Sequence, residues 1–192
     1  MKHLARKALL LDRDGVINVN HGYVHKAEDC EFVEGIFDLC AAAQQRGYEI
    51  IIVTNQSGIA RKYYNNWQFT LFSRWMEAQF RAQGINIRHT YHCPHHPKIS
   101  GPCTCRKPRP GMIFKAARDY KIKLSESIMV GDSWSDIVCA RTAKIGTAVW
   151  FKDPKQHPPK QTKGNHIFPD LYLERSQRFY ATRSLSSISR LL

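Results

Sequence analysis

The sequence predicts an α/β protein of three layers, in which helices cover both faces of a central parallel sheet. Short apolar runs typical of buried strands alternate with segments whose apolar residues recur at helical spacing. Such alternation is typical of a parallel sheet with helices on both faces. The chain has 192 residues, of which 43% are hydrophobic, and this is enough for one domain with its own core. We therefore expect a single domain over 1–192 with a Rossmann-like sheet.

Three strands and two helices are predicted in the first half of the chain. The strands are short apolar runs, of which the first stops at Asp12. The helices have apolar residues three or four positions apart, Asn66 can cap the second helix, and a glycine ends each of them. In chain order the predicted elements are a strand at 7–11, a helix at 34–47, a strand at 49–53, a helix at 66–84 and a strand at 85–91.

The second half begins with an irregular segment at 92–109, which holds four prolines and almost no aliphatic residue. Pro110 and Gly111 then open a helix that carries Met112, Phe114 and Ala117. The remaining predicted elements are a strand at 127–130, a helix at about 136–143, a strand at 147–151, an exposed Pro/Lys-rich loop at 152–169, an edge strand at 179–183 and a short helix with Leu185, Ile188 and Leu192.

Polar side chains follow or end three of the predicted strands, namely Asp12, Thr54 and Asp132. Ligands of parallel α/β sheets bind at the carboxyl ends of the strands, so we expect these groups to converge at one edge. Asp12 and Asp14 are two positions apart and can share a divalent cation. One of them can attack an electrophile while the other moves a proton. A plain strand–turn junction would also explain this composition, because Asp and Gly are turn residues.

The neighbouring motifs strengthen the chemical interpretation. Asp132 would complete an oxygen site suited to Mg²⁺, whereas Asp136 either supports that site or only occupies the first turn of a helix. The Thr54 hydroxyl and the backbone N–H groups after it can hold phosphate oxygens, although a turn would have similar residues. Lys107, just before Pro108, could neutralise a transferring phosphoryl group; the alternative is a solvated basic loop.

Three of the six cysteines fall within 93–105, together with histidines. Soft and borderline ligands in the pattern C-x-H and C-x-C suit a closed tetrahedral Zn²⁺ site with a structural role. His96 could replace His95 as a ligand, and a redox-active or merely polar loop is the other explanation. The predicted zinc ligands are Cys93, His95, Cys103 and Cys105.

The charge balance indicates an anionic partner. The chain has 29 Lys and Arg against 16 Asp and Glu, a net charge of +13, which fits a nucleic acid, a membrane surface or a phosphorylated small molecule. Residues 152–192 hold eight basic against three acidic residues. These basic residues are dispersed among prolines without an aromatic stripe, which argues against nucleic acid.

Hydropathy predicts a cytoplasmic protein. The sequence has no run of about 18 uncharged apolar residues that could cross a membrane. Its first apolar run, 8–11, is too short for a secretory signal. We expect a monomer without a membrane partner.

Four motifs together resemble the haloacid dehalogenase superfamily of phosphatases. They are a strand ending in DRDGV at 12–16, a strand ending in TNQ at 54–56, the Lys–Pro pair at 107–108 and a strand ending in GD at 131–132. Their order matches as well, and the resemblance covers about 9–149.

The resemblance implies a function for each motif. Asp12 would be the nucleophile that forms an aspartyl-phosphate. Asp14 would be the general acid that protonates the leaving oxygen and then the base that activates water. Thr54 and Lys107 would hold the phosphoryl oxygens. Mg²⁺ would be held by Asp12, the backbone carbonyl of Asp14, and Asp132, and its charge would offset the repulsion between phosphate and carboxylate.

The zinc motif narrows the resemblance to two families without a large cap domain, the heptose bisphosphate phosphatases and the histidinol phosphatases. NHGYV at 20–24 and TNQSGIAR at 54–61 resemble the heptose family. That resemblance implies removal of the 7-phosphate of a heptose 1,7-bisphosphate, in precursor synthesis for lipopolysaccharide or another surface glycan. Histidinol phosphate and, less favoured, a nucleic-acid 3′-phosphate are the alternative substrates. The implied substrate-binding residues are Asn20, His21, Gly22, Tyr23, Asn55, Gln56, Ser57 and, for the distal phosphate, Arg106.

The chain departs from this family at three places. Ser133 follows the aspartate of the GD motif, where similar proteins carry Lys. Asn20 replaces an Asp. After the TNQSGIAR motif, Lys62, Tyr63 and Tyr64 stand where a smaller Gly-Lys is expected. At Ser133 we expect altered tuning of the site and not loss of activity, because Lys107 can still serve the phosphoryl group. At Asn20 we expect a shift in sugar or anomer preference.

Overall fold

The computed structural model describes residues 6–152 and 178–192. These residues form one sheet of six parallel strands in the order β3-β2-β1-β4-β5-β6. The strands are β1 (Lys7–Leu11), β2 (Tyr48–Asn55), β3 (Ile87–Cys93), β4 (Ile128–Gly131), β5 (Thr147–Phe151) and β6 (Arg178–Thr182). The helices are α1 (Ile36–Gln45), α2 (Asn66–Ala82), α3 (Pro97–Ser100), α4 (Gly111–Tyr120), α5 (Trp134–Thr142) and α6 (Leu185–Ile188).

Strand β1 lies at the centre of the sheet because its apolar residues are buried on both faces. Leu9 and Leu11 pack into one core, with residues of α1, α2 and α6. Ala8 and Leu10 pack into a second core on the opposite face, with residues of α4 and α5. Alternate side chains of a strand point to opposite faces, so a continuous apolar run supplies both cores. The three-layer prediction is confirmed, and the described residues contain no separate cap domain over the sheet.

The structure corrects several predicted boundaries. Asn65, not Asn66, caps α2, because its side chain accepts a hydrogen bond from the Gln68 N–H and Gln68 reciprocates. The segment predicted to be irregular contains the end of β3 and the single-turn helix α3. Phe114 is exposed on α4, whose buried side includes Ile113.

The remaining predictions concern the segment after β5 and membrane-spanning helices. The Pro/Lys-rich loop predicted over 152–169 lies, beyond Lys152, outside the described residues. The edge strand and the last short helix are present as β6 and α6. Among the described residues, no helix has the length and apolar character needed to cross a membrane.

Candidate active site

The predicted site residues meet at the carboxyl edge of the sheet, where the strand order reverses. From β1 the chain first adds β2 and β3 on one side and later adds β4 and β5 on the other, which leaves a crevice between β1 and β4. Asp12 directly follows β1, and its N–H donates to the Val130 carbonyl of β4 at 2.9 Å. Asp132 directly follows β4, and Thr54 lies near the end of β2.

Three carboxylates form a cluster in this crevice. One carboxylate oxygen each of Asp12, Asp132 and Asp136 lies within 4.8 Å of the others. The Asp14 side chain is not a member, and its expected contribution to a metal site is the backbone carbonyl. Gly15 lets the loop after β1 run against Asp132: it has φ +90°, and a Cβ there would lie 2.2 Å from Asp132 Oδ2. Glycine is therefore required at this position.

Lys107 is a buried cation that contacts this cluster. Its Nζ lies 2.9 Å from Asp12 Oδ1 and 2.6 Å from Asp136 Oδ1, and it donates to the Val53 carbonyl at 2.8 Å. Burial alone would lower the pKa of Lys107, but the Asp12 and Asp136 carboxylates raise it above its ordinary value. The lysine therefore stays charged in a buried place.

The carboxylate cluster has the chemistry of a divalent cation site. Burial raises the pKa of Asp12 to about 8, with Lys107 opposing the shift and Asp136 and Asp132 adding to it. Burial and Asp136 likewise raise the pKa of Asp132 to about 6. Burial thus makes both carboxylates costly to ionise, and Lys107 offsets only part of that cost. A hard cation such as Mg²⁺, which prefers carboxylate oxygens, fits this donor set.

Lys107 is held in place by Asn55. The Asn55 side chain accepts from the Lys107 N–H at 3.0 Å and donates to the Lys107 carbonyl at 3.1 Å. Both polar groups of this amide are therefore used on the lysine backbone. The Asn55 side chain thus supports Lys107, and its predicted contact with substrate stays a prediction.

Asp14 is surrounded by hydrogen-bond donors. Arg13, only 1% exposed, reaches both carboxylate oxygens, with Nη2 at 2.9 Å from each. Asn18 Nδ2 donates to Oδ1 at 3.1 Å, and Gln56 Nε2 donates to Oδ2 at 2.9 Å. Arg13 itself is anchored to the Val24 carbonyl. The Asp14 carboxylate accepts each of these bonds and so has a fixed orientation.

Gln56 joins Asp14 to Thr54. Its Nε2 also donates to Thr54 Oγ1 at 2.8 Å, which leaves the Thr54 hydroxyl proton available for another acceptor. Gln56 is 1% exposed, and its Oε1 accepts from the Tyr64 hydroxyl; its predicted contact with substrate stays a prediction. Gln56 therefore supports the groups around it. Ser57 is half-buried on the following turn.

The loop predicted to bind substrate lies on the surface beside these residues. Asn20 Oδ1 accepts from the Gly22 N–H at 3.1 Å, which closes the turn. His21 is half exposed and lies 3.4 Å from Glu31. Tyr23 is 42% exposed, and its ring meets that of Tyr63 edge-on at 4.6 Å. The loop lines a cavity of about 640 Å³.

The four predicted zinc ligands come together. Their ligand atoms all lie within 4.8 Å of one another; for example, Cys93 Sγ is 3.5 Å from His95 Nδ1 and 3.6 Å from Cys103 Sγ. Zn²⁺ bonds of about 2.0–2.3 Å give a tetrahedron with edges of roughly 3.3–3.8 Å, so the cluster fits this ion. The remaining ligand, Cys105, lies 3.3 Å from His95 Nδ1.

His96 and Arg106 lie next to the cluster. His96 Nε2 contacts Arg61 at 2.8 Å and its Nδ1 accepts from the Lys98 N–H, so its ring nitrogens are used outside the cluster. Arg106 is half-buried and donates to the His95 carbonyl at 3.1 Å. Arg106, which was predicted to select a distal phosphate, is thus hydrogen-bonded to the zinc motif.

Four residues around the site were not identified from the sequence as functional: Arg13, Asn18, Tyr64 and Lys152. The position of Arg13 between two aspartates was the available signal. Lys152 Nζ donates to the Asp132 carbonyl at 2.7 Å, so a lysine from the end of β5 lies beside the aspartate that Ser133 follows. Ser133 itself caps α5 in a reciprocal capping box with Asp136.

Comparisons with known proteins agree with this geometry. A family described as HAD-hydrolase-like matches residues 104–172. The D-glycero-beta-D-manno-heptose-1,7-bisphosphate 7-phosphatase of Vibrio cholerae is 44% identical over 158 residues, which cover 79% of this chain and 84% of the relative. The D-glycero-alpha-D-manno-heptose-1,7-bisphosphate 7-phosphatase of Campylobacter jejuni is 45% identical over 150 residues, which cover 78% and 85%.

A solved structure is similar over nearly the whole chain. The D,D-heptose 1,7-bisphosphate phosphatase from B. bronchiseptica, complexed with magnesium and phosphate, aligns with a TM-score of 0.75 and 25% identity. The alignment covers 96% of this chain and 97% of that chain.

The parallel sheet with carboxylates and a lysine at its carboxyl edge defines a phosphatase of the haloacid dehalogenase class. Within that class, the chain belongs to the family of D-glycero-D-manno-heptose-1,7-bisphosphate 7-phosphatases. This membership agrees with the heptose resemblance and not with the histidinol-phosphate alternative.

Proposed function

We propose that this protein removes the 7-phosphate of a D-glycero-D-manno-heptose 1,7-bisphosphate, and that it acts in the synthesis of heptose precursors for lipopolysaccharide or another surface glycan. The observation that carries the proposal is the meeting of Asp12, Lys107 and Asp132 in one crevice. The names of relatives that are 44–45% identical support the choice of substrate.

The proposed reaction has two steps. Asp12 attacks the phosphorus, and the bond from phosphorus to the sugar oxygen breaks while Asp14 gives a proton to that oxygen. Asp14 then takes a proton from a water molecule that attacks the aspartyl-phosphate, and Asp12 is released with inorganic phosphate. Lys107 and Thr54 hold the phosphoryl oxygens as charge develops on them.

We propose that Mg²⁺ is held by the Asp12 and Asp132 side chains and the Asp14 backbone carbonyl. When bound, the ion supplies positive charge that lets a carboxylate approach a dianionic phosphate. Burial, with a smaller contribution from the neighbouring Asp136, raises the pKa values of Asp12 and Asp132, and these closely spaced carboxylates support this assignment.

The substrate loop and the zinc motif have separate functions in this proposal. The sugar is contacted by Asn20, His21, Gly22 and Tyr23, and Arg106 binds the distal phosphate. Further contacts with substrate come from the turn of Asn55, Gln56 and Ser57. Zn²⁺ at the Cys93–His95–Cys103–Cys105 cluster has a structural role: it holds the segment that presents Arg106 and Lys107. A single domain, a monomeric state and a cytoplasmic location stay predictions.

The test is phosphate release from the α and β anomers of the heptose bisphosphate, beside histidinol phosphate and a 3′-phosphorylated oligonucleotide, with Mg²⁺ and with EDTA. We expect Mg²⁺-dependent hydrolysis of a heptose anomer, at least about 100-fold faster than either alternative. Asp12→Asn is the control and should abolish it. Faster hydrolysis of either alternative substrate would overturn the proposal.

A further inference from the structure

Tyr64 is a buried tyrosine between β2 and α2, close to Asp14 but not in contact with it. It is 4% exposed. Its ring lies directly over Gly58, where a Cβ would come within 2.3 Å of the Tyr64 ring. The glycine therefore leaves the space that the tyrosine ring occupies. Burial raises the pKa of Tyr64 to about 12, so its hydroxyl keeps the proton that it donates.

The Tyr64 hydroxyl determines which way the Gln56 amide faces. It donates to Gln56 Oε1, which turns Nε2 toward Thr54 at 2.8 Å and toward Asp14 Oδ2 at 2.9 Å. With the amide reversed, its oxygen would face the Asp14 carboxylate, and two acceptors would oppose each other. Without the hydroxyl, the buried Oε1 would lose its donor.

The same tyrosine is held from its other side by the segment that follows the substrate loop. The His25 ring stacks on Tyr64 with centroids 4.7 Å apart and an angle of 14°. His25 Nδ1 lies 2.8 Å from the Tyr23 carbonyl. A continuous set of contacts thus runs from the loop through Tyr64 and Gln56 to Asp14.

We propose that Tyr64 is a positioning residue for proton transfer, which acts through Gln56 to fix Asp14 Oδ2. The inference rests on the proposed function, in which Asp14 protonates the leaving sugar oxygen and later accepts a proton from water. Asp14 Oδ1 is held by Arg13 and Asn18, so Gln56 and Arg13 together set the position of the second oxygen.

The test uses Tyr64→Phe, which keeps the ring and removes only the hydroxyl. The substrates are the heptose bisphosphate, whose sugar oxygen needs a proton to leave, and p-nitrophenyl phosphate, whose phenolate leaves without one. We compare kcat/KM, because this parameter reports on the reaction up to departure of the leaving group. General acid catalysis contributes about 10²–10⁴-fold, so we expect a loss of about tenfold or more on the heptose and less than about twofold on the aryl ester.

Tyr91→Phe is the matched control. Tyr91 is also buried, and its hydroxyl donates to Asp119 at 2.7 Å, away from the site. We expect both kcat/KM values to be unchanged in this variant. Equal losses on both substrates in Tyr64→Phe, or no loss on either, would overturn the inference, because a structural role alone does not distinguish leaving groups.

A second variant tests the path through Gln56 independently of how Tyr64→Phe folds. Gln56→Met also removes the hydrogen bond to Thr54, so we expect some loss on both substrates, with the loss on the heptose at least about tenfold larger than that on the aryl ester. The double variant should be no worse than Gln56→Met. Additive losses would contradict a shared path. If the proposed function is wrong, the wild-type enzyme will release no phosphate from the heptose bisphosphate. In that case glycerol phosphate, another alkyl phosphate, takes the place of the heptose in the comparison with p-nitrophenyl phosphate.

Discussion

Asp12 is buried beside two other carboxylates, and its raised pKa links the stability of the protein to pH. Its pKa is about 8 in the folded chain, whereas an unfolded aspartate ionises near pH 4. Between about pH 4 and pH 8 the folded chain therefore binds more protons than the unfolded chain. The stability linked to this group is fully present below about pH 4 and is lost as the pH rises toward 8.

This linkage predicts a difference between wild type and Asp12→Asn in EDTA. We expect the free energy of unfolding to fall more steeply from pH 5 to pH 8 in wild type, because asparagine cannot ionise. Urea unfolding at four pH values measures the two slopes. Asp119→Asn is the control: Lys115 and Tyr91 lower the pKa of that exposed carboxyl, so its titration lies below this range. Equal slopes for wild type and Asp12→Asn would contradict the prediction.

Residues next to strand ends could be identified from the sequence, whereas the residues that orient them could not. Asp12 and Asp132 directly follow short apolar runs, which predict buried strands. A residue that follows a parallel strand lies at the carboxyl edge of the sheet, where ligands bind. Lys152 reaches the Asp132 carbonyl from the end of another strand, and Tyr64 reaches Asp14 only through Gln56. Such contacts depend on tertiary packing, for which local spacing gives no signal.

Among the elements, α2 depends on its N-terminal cap. Asn65→Ala removes the side chain that accepts the Gln68 N–H at 2.9 Å, and we expect the free energy of unfolding to drop by about 1 kcal/mol. Asn66→Ala is the matched control and should cost less than about 0.5 kcal/mol. Urea unfolding curves measure both. A larger cost for Asn66→Ala would show that the cap had been assigned to the wrong asparagine.

The signal for this cap was present in the sequence. Two adjacent asparagines have the same capping chemistry, so residue type alone does not choose between them. Gln68 stands three positions after Asn65, which permits the reciprocal bonds of a capping box. Phe69 stands three positions after Asn66 and cannot form them.

The zinc motif makes a prediction about metal content. We expect the wild-type protein to contain one zinc per chain and Cys105→Ser to lose most of it. Loss of a residue that only hydrogen-bonds to a metal ligand lowers metal affinity by about 10- to 100-fold. Removal of a direct ligand should lower the zinc affinity by more than this. Atomic absorption after dialysis measures the metal, and phosphatase activity should fall because the segment also presents Lys107.

Cys30→Ser is the control for this experiment. Cys30 is a free, half-buried thiol outside the cluster, so its replacement should leave the zinc content unchanged. Equal zinc content in wild type and Cys105→Ser would refute the assignment of a zinc site.

At the scale of the whole molecule, the last helix belongs to the main core. Leu185 is 2% exposed and packs into the core that includes α1 and α2. We expect Leu185→Ala to lower the free energy of unfolding by about 2–5 kcal/mol. Leu71→Ala, at a 46% exposed position, should lower it by less than about 0.5 kcal/mol.

A single domain predicts that circular dichroism and tryptophan fluorescence give one coincident urea transition. Separate transitions would contradict a single domain.

The sequence predicts the layers of the fold but not the order of its strands. Alternation of strands and helices requires crossover connections, and these produce a parallel sheet. Periodicity shows which strands are buried on both faces, yet Ile50 and Ile128 look alike as partners for Leu9, and both in fact lie beside it. Neighbours in a sheet are set by contacts between distant residues.

The two sides of the crevice come from strands that are far apart in the sequence, β1 and β4. The Ala8 N–H donates to Ser127 Oγ, 119 positions further along the chain. The Asp12 N–H donates to the Val130 carbonyl of β4. Pairing over such separations is slow compared with local contacts. A chain still emerging from the ribosome therefore holds Asp12 and Asp14 without Asp132. In the proposed mechanism, such a chain cannot hydrolyse a phosphate ester until β4 has been synthesised and has paired with β1.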